Sequence, residues 1–321
     1  MTTRGPGVDL ERAGVWLGAS IEAEGAAPGG ASNVTWYVRV DGAPAVLRHP
    51  PPGRVLPTAH DLAREHRFLV AVAGSGVPVP QVIAFCEDAE VAGLPFLLVR
   101  RVAGECLLRD PIGARDGEAL ARSAVAVLAS LHAIDWRDRE LPARPGSYLE
   151  RQVLRWKHQL EQTPTAGRLP RLDSLYQWLC EHLPKDSDQT IVHGDFGFHN
   201  LLVQGEGISA VLDWELATIG DPLTDLAGLM KGWGADAPAP NPANQAVTGR
   251  PGAPDRETLA RWYERATGRA LGSNRAFYEI LGLWKSIGIL EGIHARTGGA
   301  RFAQEVPALV TRAESIIEAG E

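Results

Sequence analysis

The amino-acid sequence predicts an α+β fold of two lobes, a strand-rich lobe at residues 1–101 and a mainly helical lobe at 102–321. In the first lobe, short runs of β-branched and aromatic residues alternate with turn signals, which is typical of strands. In the second, apolar residues recur at three- and four-residue intervals, which is typical of amphipathic helices. The composition, 45% hydrophobic and 22% charged, is that of a globular protein.

The strand signals of the first lobe are clearest in a predicted hairpin. Residues 34–40 and 45–47 are rich in β-branched and aliphatic residues, and the Asp-Gly pair at 41–42 is a strong turn signal. A helix is expected from Asp61, which can cap it, to a glycine-rich break at 74–76. Two extended segments follow, and the second, PFLLVRRV, is apolar enough to be a central strand.

Amphipathic segments dominate the second lobe. The predicted helices are 118–132, 148–162, 172–183, 257–267 and 275–294. A further helix should begin after Asp221-Pro222, because aspartate caps helices and proline suits their first turn. The segment 235–255 is rich in Pro, Gly and Asn, and predicts a long surface loop or lid.

Charge and cysteine content narrow the class of protein. The net charge is −7, with Arg and Lys dispersed along the chain, which argues against a nucleic-acid partner. The three cysteines form no CxxC pair, so they indicate neither a disulfide framework nor a cysteine zinc site. No signal-peptide pattern and no membrane-spanning run of apolar residues occurs. We therefore expect a cytoplasmic protein without a membrane partner, either a monomer or a homodimer.

Polar residues cluster between two aliphatic runs in IVHGDFGFHNLLV, residues 191–203. Asp195 is followed five residues later by Asn200, and Asp213 ends the next apolar run. If these segments form a hairpin, the three side chains lie close together at one end of it. Their oxygens suit Mg²⁺, which keeps positions open for phosphate oxygens. Kinases use this spacing for a base, a metal-binding asparagine and a metal-bridging aspartate, so the pattern predicts phosphoryl transfer.

The same residues carry a family resemblance. The motif HGDFGFHN at 193–200, followed by VLDWELATIGDPLTDLA, resembles the aminoglycoside phosphotransferase and choline kinase superfamily. The stretches GGASN, VLRHPPPG, AHDLAREHRFL and VPVPQVIAFCED resemble most the kinase-like domain associated with acyl-CoA dehydrogenases and its stand-alone bacterial relatives. The resemblance covers about residues 29–230. It implies a protein-kinase-like fold, ATP and Mg²⁺ as cosubstrates, Asp195 as the catalytic base, and Asn200 and Asp213 as metal ligands.

One departure from the kinase pattern falls on the third strand. Kinases place a lysine there, which contacts the phosphates and pairs with a helix glutamate. Here the segment AVLRHPPPG offers Arg48, whose planar fork can bind phosphate and carboxylate together. Glu65 lies three residues after Leu62 and four before Leu69, on the apolar face of its helix. A carboxylate on that face needs a cation, and Arg48 is the candidate.

Further nucleotide contacts are expected at two places. In GAAPGGASNVTWYV, the backbone amides of Gly30, Ser32 and Asn33 could lie at the phosphates, or the stretch could be a flexible turn; its position about fifteen residues before Arg48 favours the nucleotide contact. The segment FLLVRRVAGE should end in the linker between the lobes. Adenine would then hydrogen-bond to backbone near Arg100 and Val102, an assignment that rests on the order of elements in kinases.

Two residues are expected to support the catalytic loop. His193 is interpreted as structural, because a histidine in such a loop more often holds backbone than performs chemistry. Asp225 has two interpretations. It could favour the dipole of the helix in which it lies, or, as the resemblance implies, it could brace the loop near His193.

The predicted function is ATP-dependent transfer of phosphate to a hydroxyl group of a small molecule. One alternative is a nucleotide-binding scaffold that lost turnover through Arg48. Another is a metal-dependent hydrolase that uses His193, Asp195, His199 and Asp213. The helices after residue 235 contain no acidic cluster, which argues against a polycationic aminoglycoside, so resistance to such antibiotics is the weaker expectation. A hydroxy acid or its thioester, or a neutral natural product, fits better.

Overall fold

The computed structural model describes residues 6–27, 33–51, 62–107, 116–163, 171–185, 188–234, 247–248, 252–297 and 300–320. Its first part contains helix α1 (Leu10–Leu17), strands β1 (Ile21–Ala26), β2 (Val34–Val40) and β3 (Ala43–His49), helix α2 (Leu62–Val72), strand β4 (Val82–Cys86), helix α3 (Ala89–Ala92) and strand β5 (Phe96–Arg100). The strands form one antiparallel sheet in the order β1-β2-β3-β5-β4.

Strand β5 lies inside this sheet, as its apolar sequence predicts. Successive side chains of a strand point to opposite faces. Leu98 therefore packs in the core beneath α1 and α3, whereas Leu97 packs in the core shared with α2 and the helical lobe. Because both faces of the strand are buried, its sequence is continuously apolar and does not alternate between apolar and polar residues.

The turn between β2 and β3 also follows its sequence. Asp41 and Gly42 both have positive φ, 49° and 75°, as a two-residue hairpin turn with right-handed strand twist requires. Helix α2 occupies the predicted position and buries Leu62, Glu65 and Leu69 on one face. The expected cap Asp61, and the glycine-rich residues 28–32, lie outside the described residues.

The second part contains helices α4 (Gly117–His132), α5 (Tyr148–Glu161), α6 (Arg171–Glu181), α7 (Leu223–Lys231), α8 (Arg256–Thr267), α9 (Arg275–Thr297) and α10 (Ala300–Gly320). Two small sheets lie among them: β6 (Glu105–Cys106), β8 (Leu201–Gln204) and β9 (Gly207–Val211) form one, and β7 (Thr190–Val192) pairs with β10 (Thr218–Gly220) in the other. Helix α9 packs against α5, α7 and α10, and is the central helix of this lobe.

Helices α1 and α10 have no counterpart among the predicted elements. Helix α10 carries Pro307 within it, which is a breaker signal in the sequence. Most of the predicted loop at 235–255 lies outside the described residues. Within the part of the chain that is described, no helix combines the length and the apolar character needed to cross a membrane.

Candidate active site

The catalytic-loop residues lie between two short strands that fix both of their ends. Residues 193–200 connect β7, which is tied to β10, with β8, which is tied to β9. Leu201 is opposite Val211 in the β8–β9 pair, and the amide of Leu212 donates to the backbone oxygen of Asn200 at 2.8 Å. Asn200 and Asp213 therefore leave the hairpin at the same end, which is the arrangement that the sequence predicts from their spacing.

Asp195 is held by three side chains from two directions. Its Oδ1 lies 2.8 Å from Nζ of Lys285 on α9. Its Oδ2 lies 3.1 Å from Nε2 of His199 and accepts from Nδ2 of Asn200 at 3.2 Å. Burial alone would raise the pKa of Asp195, but Lys285 and His199 hold it well below its usual range. The carboxylate is therefore ionised and oriented, yet 36% exposed and accessible to a hydroxyl group.

The loop backbone is braced by Asp225 on α7. Its carboxylate accepts from the amide of His193 at 2.6 Å and from the amide of Gly194 at 2.8 Å, and lies 3.4 Å from Nε2 of His132. Burial would raise the pKa of Asp225, but the contact with His132 lowers it. Of its two interpretations, the geometry favours the one in which it braces the loop. The ring of His193 contacts the backbone oxygen of Leu212 at 2.8 Å through Nε2.

Gly194 is required by its surroundings. Its φ is +80°, a conformation that L-residues disfavour. A Cβ at this position would lie 2.7 Å from the backbone oxygen of Leu216. The motif therefore needs glycine directly before Asp195, so that the loop can turn against the segment after β9.

Arg48 lies between two carboxylates. Its Nη2 donates to Oδ1 of Asp213 at 2.9 Å, and its Nε lies 3.3 Å from Oε2 of Glu65, an ion pair too bent for a good hydrogen bond. Burial would lower the pKa of Arg48, but Glu65 and Asp213 raise it. Burial raises the pKa of Glu65 to about 7, although Arg48 opposes this. The expected pairing of Arg48 with Glu65 is present, and Asp213 is a second partner.

The donor atoms at this end of the hairpin suit a magnesium ion. Asn200 directs its amide nitrogen to the backbone oxygen of Asp195 at 2.9 Å and to its carboxylate, so the carbonyl oxygen is the atom that it can offer a cation. Asp213 is 35% exposed and adopts positive φ, 65°, a strained conformation that turns it out of the strand. One amide and one carboxylate oxygen, with phosphate oxygens and water, form a typical Mg²⁺ coordination set.

The predicted nucleotide contacts are only partly described. Gly30 and Ser32 lie outside the described residues. Asn33 is 2% exposed, and neither polar atom of its side chain has a hydrogen-bond partner in the described part of the chain. Such an orphaned amide is costly unless something binds it. Arg100 is the last residue of β5, and its amide donates a hydrogen bond to the backbone oxygen of Gln81. Val102 follows in the segment that leads to the helical lobe.

The hydrolase interpretation fits this geometry poorly. Both ring nitrogens of His193 are already in use, since Nε2 contacts Leu212 and Nδ1 accepts from the amide of Asp195. Among the described residues, no three His, Cys, Asp or Glu side chains are grouped to hold a metal. A magnesium site completed by Asn200 and phosphate oxygens does not need such a group.

Two site residues were not predicted from the sequence. Lys285 contacts Asp195 and the backbone oxygen of Gly194, although it lies 90 residues after Asp195 in the chain. Lys231, the last residue of α7, lies beside it. Composition could have drawn attention to these residues, because the chain contains only four lysines against 28 arginines. Lys285 also interrupts an apolar stretch of its helix.

Comparison with known proteins agrees with this geometry. A model of the phosphotransferase enzyme family matches residues 25–273. The chain belongs to this family. The resemblance predicted from the motif at 193–200 is thereby confirmed, and the catalytic loop, Arg48 and Asp213 all lie inside the matched region.

The curated relatives confirm the closer resemblance as well. The chain is 36% identical to mouse acyl-CoA dehydrogenase family member 10 over 287 residues, which are 85% of this chain and 27% of that protein. It is 33% identical to human acyl-CoA dehydrogenase family member 11 over 279 residues, 83% of this chain and 35% of that protein. The chain thus spans about a third or less of these relatives. An Escherichia coli hygromycin-B 4-O-kinase is 26% identical over 175 residues, 49% of this chain and 48% of that one.

Solved structures confirm the predicted fold class. A Ralstonia eutropha protein provisionally named an aminoglycoside phosphotransferase superimposes with a TM-score of 0.78, at 29% identity and 98% coverage of both chains. Aminoglycoside phosphotransferase APH(4)-Ia, solved with ADP and hygromycin B, superimposes with a TM-score of 0.66 at 20% identity, over 97% of this chain and 98% of that one. At that identity the second likeness concerns the fold alone.

Proposed function

We propose that this protein is an ATP-dependent kinase that transfers the γ-phosphate to a hydroxyl group of a small molecule. One arrangement carries the proposal. Arg48 contacts both Glu65 and Asp213. Asn200 donates to Asp195 and accepts from the amide of Leu212, the residue before Asp213. These contacts connect a cation that can bind phosphate, two oxygen donors for a metal, and an ionised base. Family membership supports the same reaction class.

Each residue has a role in this proposal. Asp195 orients the acceptor hydroxyl and accepts its proton, and its low pKa makes proton transfer late, as suits a loose phosphoryl-transfer transition state. Arg48 binds the nucleotide phosphates, and Glu65 fixes the position of its guanidinium group. Asn33, Arg100 and Val102 hold the nucleotide at the sheet and at the linker near residue 101.

Asn200 and Asp213 would hold Mg²⁺, which, when bound, neutralises charge on the phosphates. The remaining work falls to the chain itself. His193 and Asp225 keep the loop in place, so that the acceptor oxygen meets the terminal phosphate in line. The expected products are a phosphate monoester and ADP.

The test is a transfer assay with MgATP and a library of hydroxyl compounds. We expect ADP release that depends on a library member, with a phosphate monoester resonance in the phosphorus NMR spectrum of the product. The variant Asp195→Asn keeps the shape of the side chain and should abolish transfer. MgATP binding without transfer to any compound would favour the scaffold alternative, and hydrolysis of a substrate without ATP would favour the hydrolase.

A further inference from the structure

A pocket of about 130 Å³ opens on one side of Asp195. Its walls come from α5, α7, α9 and the catalytic loop. Its lining includes Asp195 and His199, but not Arg48, Asn200 or Asp213. The pocket therefore lies on the side of the base that faces away from the proposed nucleotide contacts, where the acceptor hydroxyl would enter.

Two ammonium groups line this small pocket. Lys285 contacts Asp195 at 2.8 Å, and Nζ of Lys231 donates to Oγ of Ser286 at 2.7 Å. A serine hydroxyl does not neutralise a charge, and Lys231 has no ion-pair partner among the described residues. These are two of only four lysines in the chain. Concentrating them in one cavity is costly: burial first, and then Lys285, lower the pKa of Lys231 to about 8.

The pocket also contains two carboxylates, Asp195 and Asp225, but neither forms an ion pair with Lys231 among the described residues. The carboxylate of Asp225 accepts from the amides of His193 and Gly194 and lies beside His132. Asp195 already pairs with Lys285. Asp195 is near enough to favour the charge of Lys231, but no carboxylate of the described residues lies within ion-pair distance of it, and this points to an anion supplied by the ligand.

We propose that the acceptor is a hydroxy compound with an anionic group, a carboxylate or a phosphate, and that Lys231 and Lys285 bind this group while the hydroxyl lies at Asp195. The inference rests on the proposed function, because it identifies the substrate class of the same site. It also explains why two ammonium groups line a pocket beside a catalytic base. A polycationic acceptor would be repelled by the same two groups.

Arginine side chains outside the pocket lining add positive charge near its α5 wall. Arg155 lies seven residues after Tyr148 on α5, and so on the same helix face as this wall residue. Partial burial lowers the pKa of Arg155, although its side chain also reaches solvent. The nearby guanidinium groups of Arg64 and Arg144 lower this pKa further. Positive charge in the neighbourhood of a binding pocket raises the local concentration of anions.

Binding of an anion to Lys285 would also affect the base. Lys285 now gives a hydrogen bond to Asp195, and this pair keeps the carboxylate weakly basic. An anionic acceptor shares Lys285 and so weakens its hold on Asp195. The base then becomes stronger when the correct acceptor is present, which discriminates against water as an acceptor.

The first experiment compares acceptors that have the same hydroxyl groups but differ in charge: glycerate with glyceramide, and 3-hydroxybutyrate with 3-hydroxybutyramide, with hygromycin B as a polycation. We expect transfer to anionic members only. Lys231→Met should raise KM for them roughly 10- to 100-fold, the effect of losing a hydrogen bond to a charged group. Lys231→Arg should restore most of the affinity, and Lys157→Met, at a surface pair with Asp173, should change nothing. Equal transfer to neutral partners or to the polycation would overturn the proposal.

A second experiment does not depend on turnover. Acetic anhydride acetylates uncharged amines, and mass spectrometry can follow all four lysines of the protein. Malonate, compared with sodium chloride at equal ionic strength, should slow acetylation of Lys231 and Lys285 but not of the exposed Lys185 or of Lys157. If no acceptor reacts and malonate protects neither pocket lysine, the inference is wrong. Loss of the MgATP thermal shift would count against the proposed function instead, while the labelling result would still decide the anion site.

Discussion

Nη2 of Arg48 lies 2.9 Å from Oδ1 of Asp213 and joins strand β3 to the segment after β9. The same side chain reaches Glu65 on α2, so three elements meet at one guanidinium group. A lysine can offer only a point charge, whereas arginine presents a fork that contacts two carboxylates. Arginine at the position of the usual kinase lysine is therefore compatible with a working site.

The first prediction concerns this fork. Arg48→Met removes the charge-assisted hydrogen bond to Asp213, which contributes roughly 1.5–3 kcal/mol, and the ion pair with Glu65, so kcat/KM should fall about 10- to 100-fold or more. For Arg48→Lys, kcat/KM should lie between the values of the wild type and of Arg48→Met, because one ammonium group cannot hold Glu65 and Asp213 in the same geometry. Steady-state kinetics and MgATP titrations measure both effects. Activity of Arg48→Lys above that of the wild type would show that the fork has no role.

The second prediction separates the base from the metal ligand. Asp195→Asn should lower kcat by about 100- to 10,000-fold, the usual effect of losing a general base, while MgATP still binds. Asp213→Asn should lose magnesium-dependent nucleotide binding itself. Titration calorimetry with ATP, with and without magnesium, distinguishes them. If the two variants had the same binding and kinetic defects, the separate roles would be wrong.

The third prediction concerns backbone strain in the catalytic loop. Gly194 and Gly205 have similar positive φ values, 80° and 63°, but a Cβ meets Leu216 only at position 194. Gly205→Ala should cost roughly 1–2 kcal/mol of stability, the strain of the left-handed conformation. Gly194→Ala should cost more and should also reduce activity, because Asp195 follows directly. Urea unfolding of both variants tests this, and equal losses of stability would contradict it.

The fourth prediction is a pH dependence. Lys231 faces Lys285 on α9 and Asp195 and His199 in the catalytic loop, and its pKa is lowered to about 8. Below that pH the ammonium group is charged and can bind an anionic acceptor, and above it the charge is lost. KM for the anionic acceptor should therefore rise as the pH increases through 8. Lys231→Arg stays charged and should show a flat profile, so the same rise in that variant would assign it to another group.

Much of the site could be predicted from the sequence because its chemistry is local. Asp195 and Asn200 are five residues apart, and the aliphatic runs around them indicate the hairpin that also brings Asp213 close. The Arg48–Glu65 pair is a longer-range prediction. It succeeded because a carboxylate on the apolar face of a helix requires a cation, and the order of elements left one candidate.

The pocket beside the base could not be predicted in this way. Helical periodicity shows which face of α9 is buried, but not which loop of the chain that face meets. Lys285 contacts Asp195, and Lys231 lies beside Lys285, only because α9 packs against α7, a contact between segments far apart in sequence. The expectation that no polycation is bound was drawn from a lack of acidic residues, whereas the structure adds a positive reason, the two lysines.

The most direct test of the central claim is a thermal shift with ATP and magnesium on the wild type and on Asp213→Ala. A ligand that binds only the folded protein raises its melting temperature. We expect a rise in the wild type that requires both ATP and magnesium and is absent from the variant. A melting temperature that no nucleoside triphosphate changes, with or without magnesium, would contradict the assignment of this site to phosphoryl transfer.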